Sequence, residues 1–144
     1  MLAHVGSAQG IVAAETIALA TILHLARETG ARVHVTRISS AAGIDMIVAA
    51  RAAGIAVTCD VAIHHLHLCE MDIGFFDTQA RLDPPLRSLR DRDALRAGLA
   101  SGAINALCSD HTPVDDDGKQ MPFEEAEVGA TVELHVADVR VRGD

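Results

Sequence analysis

Two strand-like runs, residues 32–38 (RVHVTRI) and 55–61 (IAVTCDV), flank a stretch of helical character, and this arrangement constrains the fold more than any other feature. In the first run Val33 and Val35 share one face while His34, Thr36 and Ile38 share the other, the period-two alternation of a strand. The second is rich in β-branched residues. Between them, Ser39 or Ser40 can cap a helix that runs to about Ala53, turns Ile44, Ile47 and Val48 inward and ends at Gly54. The pattern recurs downstream. Residues 83–87 (DPPLR) form an extended connector, because paired prolines forbid helix. Ser88 with Asp91 resembles a capping box opening a helix to about Ala100, Ser101-Gly102 ends it, and residues 104–108 are the next strand. Upstream, residues 13–29 place Ile17, Leu19, Ile22, Leu23 and Ala26 at helical spacing, with Glu15 in the first turn, Arg27 in the last and Gly30 as the stop. His24 reads as a surface or boundary residue of that helix. Residues 1–5 read as the stub of a strand ending near His4, followed by a break over residues 6–10. This order predicts an α/β fold with a parallel sheet and right-handed crossovers.

With 144 residues and 49% hydrophobic content, the chain can build one domain with a real core. It is too short for a whole eight-stranded α/β barrel, which needs ~200 residues or more. A formal net charge of −8 argues against nucleic acid and anionic membranes and favours a small metabolite or a protein partner. Cys59, Cys69 and Cys108 lack CxxC spacing and lie in or just after apolar runs, so they read as reduced and buried. With neither a basic-then-apolar leader nor a run of membrane-spanning length, a soluble, cytoplasmic protein is expected.

Residues 106–113 (ALCSDHTP) are where an apolar strand stops at an acid, an imidazole and a proline. Functional side chains of parallel α/β folds collect at the carboxyl ends of strands, so Asp110 stands where it can bind a metal or take a proton. The alternative is that Asp110 starts an Asx turn or caps the next segment. His111 hydrogen-bonds within the loop on the simplest reading. His64, His65 and His67 follow the second strand in a long loop; three histidines in four residues can catch zinc, although on a strand only His65 and His67 would share a face. Arg87 and the arginines over 90–96 read as a solvated face paired with Asp91 and Asp93, and Asp115, Asp116 and Asp117 as a solvated loop. Residues 122–123 mark a turn, and the tail over 131–144 reads as strand or hairpin.

Residues 34–68 (HVTRISSAAGIDMIVAARAAGIAVTCDVAIHHLHL), residues 76–113 (FDTQARLDPPLRSLRDRDALRAGLASGAINALCSDHTP) and the later Pro122-Phe123 together resemble the C-terminal half of a dihydroorotase, a cyclic amidohydrolase of pyrimidine synthesis. The resemblance covers residues 1–130 and leaves 131–144 as a divergent tail. It implies part of a metal-dependent (β/α)8 barrel, roughly its fifth to eighth strands, with a zinc-activated hydroxide attacking the ring amide. It places His4 as the fifth-strand metal ligand, Asp110 as the eighth-strand acid that takes the proton from the water, and Pro122 and Phe123 near the substrate.

Three departures oppose turnover. The sixth-strand histidine ligand is replaced by Arg37, whose protonated guanidinium has no lone pair to donate but can stand in for the metal by pairing with Asp110. The substrate-binding asparagine of the proline-proline motif is Asp83, and a histidine four residues after the acid is Val114. This pattern is similar to the inactive dihydroorotase-like subunits that accompany aspartate transcarbamoylase in some bacteria, which implies a zinc-free scaffold that associates with such a subunit or with itself. The competing expectations are an active hydrolase using His4, Asp110 and one of His64, His65 or His67 as a reduced zinc site, and a truncated fragment without independent function. A half barrel leaves open sheet edges that a second half would close.

Overall fold

The computed structural model describes residues 3–75, 77–123 and 125–130, with side chains from residue 12 onward. Three parallel strands, β1 (Val33–Val35), β2 (Val57–Ala62) and β3 (Ala106–Cys108), form a sheet in that order. Helices α1 (Ala3–Thr29) and α2 (Ala41–Ala52) flank β1 in sequence. A short α3 (Ile63–His67), two 3-10 turns (Glu70–Ile73 and Thr78–Ala80) and α4 (Leu89–Ser101) lie between β2 and β3, and α5 (Asp116–Lys119) follows. Strand, helix, strand, helix, strand with parallel pairing is the α/β barrel pattern predicted above.

The register places Val33 opposite Val57, His34 opposite Thr58, Asp60 opposite Ala106 and Ala62 opposite Cys108. Alternation then divides the sheet. Val57, Cys59 and Val61 are buried against Leu19, Leu23, Ala26, Ile44, Ile47 and Leu95 of the helical layer and Ile104 of the α4–β3 connection. The opposite face carries His34, Thr58, Asp60, Ala106 and Cys108, and it is polar or small where a barrel interior is ordinarily filled by branched aliphatics.

Local signals set the helix ends. Ser40 caps α2 by accepting from the Gly43 amide, Ser88 caps α4 by accepting from the Asp91 amide, and Gly102 closes α4 in the left-handed region. Gly43 also lets α1 approach: a Cβ there would meet Glu15 Oε1 at 2.6 Å and Ile38 Cδ1 at 2.7 Å.

Several expectations need correction. The backbone over residues 3–29 is one helix, so the strand stub at His4 and the break after it are absent, and Glu15 lies mid-helix. The segment is alanine-rich and free of proline, and its two glycines cost only about 1 kcal/mol each. Strand β1 is shorter than the alternating run because Arg37 takes φ 57°, which ends the extended backbone and sends Ile38 into the core. Val48 is exposed rather than turned inward, and Ile17 and Ile22 of α1 are exposed as well. The loop expected after β2 begins as α3, and the acidic run forms α5. Arg87 is buried, not solvated. The tail over 131–144 lies outside the described residues.

Arg87 is buried because it completes a polar cluster between layers. Its Nη2 lies 3.6 Å from Glu15 Oε2 and its Nε donates to Ser39 Oγ at 3.0 Å. Glu15 also accepts from the Ser39 amide, the Ser39 hydroxyl and the Ser40 hydroxyl, pinning α1 to the β1–α2 connection. Removing one partner of such a pair strands the other charge. Glu15→Ala is therefore expected to lower the unfolding free energy by about 3 kcal/mol in urea titrations; an unchanged midpoint would show that the cluster does not stabilise the fold.

Candidate functional site

The carboxyl ends of the three strands converge on one edge of the sheet, where parallel α/β folds gather functional groups. Two residues beyond β1 stands Arg37, and two beyond β3 stands Asp110, at φ 57° and φ 48°. Left-handed backbone is costly for residues with a Cβ and persists only where surroundings enforce it. The two side chains meet: Arg37 Nη1 lies 3.4 Å from Asp110 Oδ1 and donates to the Asp83 carbonyl at 2.7 Å. The proline connector thus contributes through its backbone. A pocket of about 140 Å³ opens here between Arg37, Asp83, Asp110 and Thr112, closed by Leu82 and Val128.

His64 approaches from α3, its Nε2 3.7 Å from Asp110 Oδ2. Burial lowers its pKa, with the Asp110 charge opposing, so the ring is neutral near pH 7. His65 is also buried, with Nε2 3.2 Å from the Pro85 carbonyl, and burial lowers its pKa too. His67 is exposed. On a helix, then, the three histidines diverge, and only His64 faces Asp110. His111 is exposed as well. Val114 is half-buried beside Gly118 and Gly129. Pro122 and Phe123 form a turn whose carbonyls accept from Glu125, Ala126 and Arg81, and they are not among the pocket-lining residues. His4 belongs to the backbone of α1 instead of a strand end.

Sequence reasoning missed two groups. Asp60, 8% exposed, accepts at Oδ1 from the Arg37 amide (2.7 Å) and the Cys108 thiol (3.5 Å), and at Oδ2 from His34 Nε2 (2.9 Å). His34 Nδ1 in turn lies 2.7 Å from Thr58 Oγ1. Burial works against the charge on Asp60, but the bonds from Arg37, His34 and Cys108 outweigh it and hold the carboxyl below its ordinary range. Burial, aided by the Asp60 charge, pushes the Cys108 thiol up to about 11. Cys108 is partly buried while Cys59 and Cys69 are buried, and all three are free. The second missed group is Lys119, whose buried ammonium donates to the carbonyls of Thr78, Glu127 and Gly129 at 2.7–3.0 Å and ties down the segments beside the pocket.

Among the described residues no group of three or more His, Cys, Asp or Glu side chains is arranged to hold a metal ion. The Asp110 carboxylate faces the Arg37 guanidinium, whose positive charge repels a divalent cation.

No protein-family model matches the chain. It is 40% identical over 116 residues to a dihydroorotase-like protein of Pseudomonas aeruginosa, covering 81% of this chain and 27% of that one. It is 41% identical over 114 residues to a dihydroorotase of Geobacter sp., covering 79% and 27%. The chain thus spans about a quarter of the length of the curated relatives it matches. Among solved structures, a D-hydantoinase (dihydropyrimidinase) from Thermus sp. superposes with TM-score 0.72 at 26% identity over 78% of this chain and 26% of that one. An inactive dihydroorotase-like domain of a CAD-like multifunctional protein from Chaetomium thermophilum gives TM-score 0.51 at 30% identity over 62% of this chain and 24% of that one. Among the described residues no helix is long and apolar enough to cross a membrane.

The two buried histidines set a pH dependence. Their pKa values are lowered in the folded state, so the unfolded chain binds more protons below its ordinary histidine value of 6.5. Stability is fully present above that value and is lost as pH falls below it. Urea midpoints should drop between pH 7.5 and pH 5.5, and His65→Gln should weaken that dependence; equal midpoints at both pH values would refute it. The fold is that of an amidohydrolase (β/α) barrel, of which this chain supplies a part, and the chain is a homologue of the dihydroorotases and dihydroorotase-like proteins.

Proposed function

We propose that this chain is part of a dihydroorotase-like protein of pyrimidine metabolism whose barrel has lost turnover and serves as a structural partner of an aspartate transcarbamoylase-type subunit. One observation carries the reading. A guanidinium stands 3.4 Å from the carboxylate that would serve a hydrolase as metal ligand and base. Arg37 cannot coordinate a metal, and its hydrogen bond occupies an oxygen that Asp110 would need for either task. Two further differences agree with it: Asp83 adds a negative charge to the pocket edge, and Val114 offers no donor. The likeness to a domain described as inactive supports the same reading.

An active cyclic amidohydrolase is the second reading. It is favoured by the 3.7 Å approach of His64 Nε2 to Asp110 Oδ2, which keeps an imidazole beside the acid. In that case zinc would be held with help from the rest of the barrel, and Asp110 would act as general base. A fragment without independent function is the third.

The test uses the full-length protein supplied with zinc. No cyclisation of carbamoyl aspartate and no hydrolysis of dihydroorotate are expected. Light scattering is expected to show a complex larger than one chain when an aspartate transcarbamoylase is added. Turnover abolished by Asp110→Asn, or about one zinc per chain by elemental analysis, would overturn the scaffold reading in favour of the hydrolase.

A further inference from the structure

Arg37 poses a problem that its own side chain does not solve. Its backbone is left-handed at φ 57°, a conformation that costs a residue with a Cβ roughly 1 kcal/mol or more. Something must hold it there. The Asp83 carbonyl and Asp110 bind only the far end of a long, flexible side chain. At the backbone itself, both consecutive amides go to Asp60: the Arg37 amide to the carboxylate Oδ1 at 2.7 Å, the Ile38 amide to the main-chain carbonyl at 2.9 Å.

We infer that Asp60 is the positioning residue of the Arg37–Asp110 pair: its carboxylate captures the Arg37 amide, fixes the left-handed turn at the end of β1, and so aims the guanidinium across the sheet at Asp110. The inference deepens the scaffold reading and rests on it in taking the Arg37–Asp110 pair as the site's organising feature.

The surroundings of Asp60 suit this task. A bond from an amide to a carboxylate is charge-assisted, and here it is only 12% exposed on the acceptor side chain. The carboxylate plane is set by donors from both flanking strands, His34 of β1 and Cys108 of β3, so it cannot swing away from Arg37. His34 is steadied by its cross-strand partner Thr58, whose hydroxyl lies 2.7 Å from Nδ1. Asp60 sits on the central strand and therefore joins the end of β1 to the end of β3, the two places from which Arg37 and Asp110 emerge.

Amide hydrogen exchange by NMR separates this role from plain structural support, because Arg37 and Ile38 report on the side chain and the main chain of the same residue. In Asp60→Ala, exchange at the Arg37 amide is expected to accelerate roughly tenfold or more while the Ile38 amide stays protected. The order parameter of the Arg37 Nε–H vector should fall in the same variant. Asp60→Asn keeps an oxygen for the amide, and His34 can accept the new NH2 by changing tautomer, so both readouts should return towards wild type. In the unaltered protein, a scalar coupling through the hydrogen bond from the Arg37 nitrogen to the Asp60 carboxyl carbon is expected, a measurement that needs no variant to fold. Equal acceleration at Arg37 and Ile38, an unchanged Arg37 amide, or absence of the coupling would overturn the inference. Turnover or zinc uptake by the full-length protein would defeat the scaffold reading alone and leave these signals in place.

Discussion

The connection between β1 and α2 is a stretch of backbone that no sheet or helix can satisfy, and the structure is arranged around supplying its partners. Its amides at Arg37, Ser39 and Ala41 donate to carboxylates of Asp60, Glu15 and Asp91, which belong to β2, α1 and α4. The Ile38 amide takes the Asp60 carbonyl, and the Gly43 amide takes the Ser40 hydroxyl. Each donor left unpaired in the interior would cost about 1–3 kcal/mol. Three elements distant in sequence are therefore fixed against one loop. Ser39 and Ser40, fully buried polar residues, are accounted for by the same requirement.

Charge burial follows from this arrangement. Arg87 enters the interior because Glu15, already drawn in by the serines, gives it a counter-charge, and Lys119 does so because three carbonyls surround its ammonium. Neither would be tolerated unpaired. Lys119 also explains why an acidic run became a helical turn: holding Thr78, Glu127 and Gly129 with one side chain curls the residues that carry it, and the aspartates remain on the outside.

The strands, α2, α4 and their caps were legible because each is specified by neighbours in sequence: alternation for β1, β-branched residues for β2, Ser40 and Ser88 at helix starts, Gly54 and Gly102 at ends. The meeting of Arg37 with Asp110 was legible only through resemblance to a known family. What escaped notice was what depends on register or on distant partners. Asp60 reads as one acid in an apolar strand until pairing places His34, Arg37 and Cys108 around it. Arg87 sits among arginines that do face solvent, and nothing local distinguishes it. Glycines at 6 and 10 suggested a break that the alanine-rich segment does not make.

Magnitudes decide what holds the site together. The side chains of Arg37 and Asp110 are 39% and 19% exposed, and a pair so open to water is worth roughly 0–1 kcal/mol. The left-handed backbone of Arg37 costs about as much, before counting that of Asp110. Attraction between the two charges therefore cannot be the reason that both chains turn towards each other. At Arg37 the turn is imposed by the end of β1, where the Asp60 carboxylate binds the Arg37 amide and the Asp60 carbonyl the Ile38 amide. The ion pair is therefore a consequence of how β1 finishes. Asp83 takes part in the same backbone-determined way: Arg37 uses its carbonyl, which any residue at that position would present.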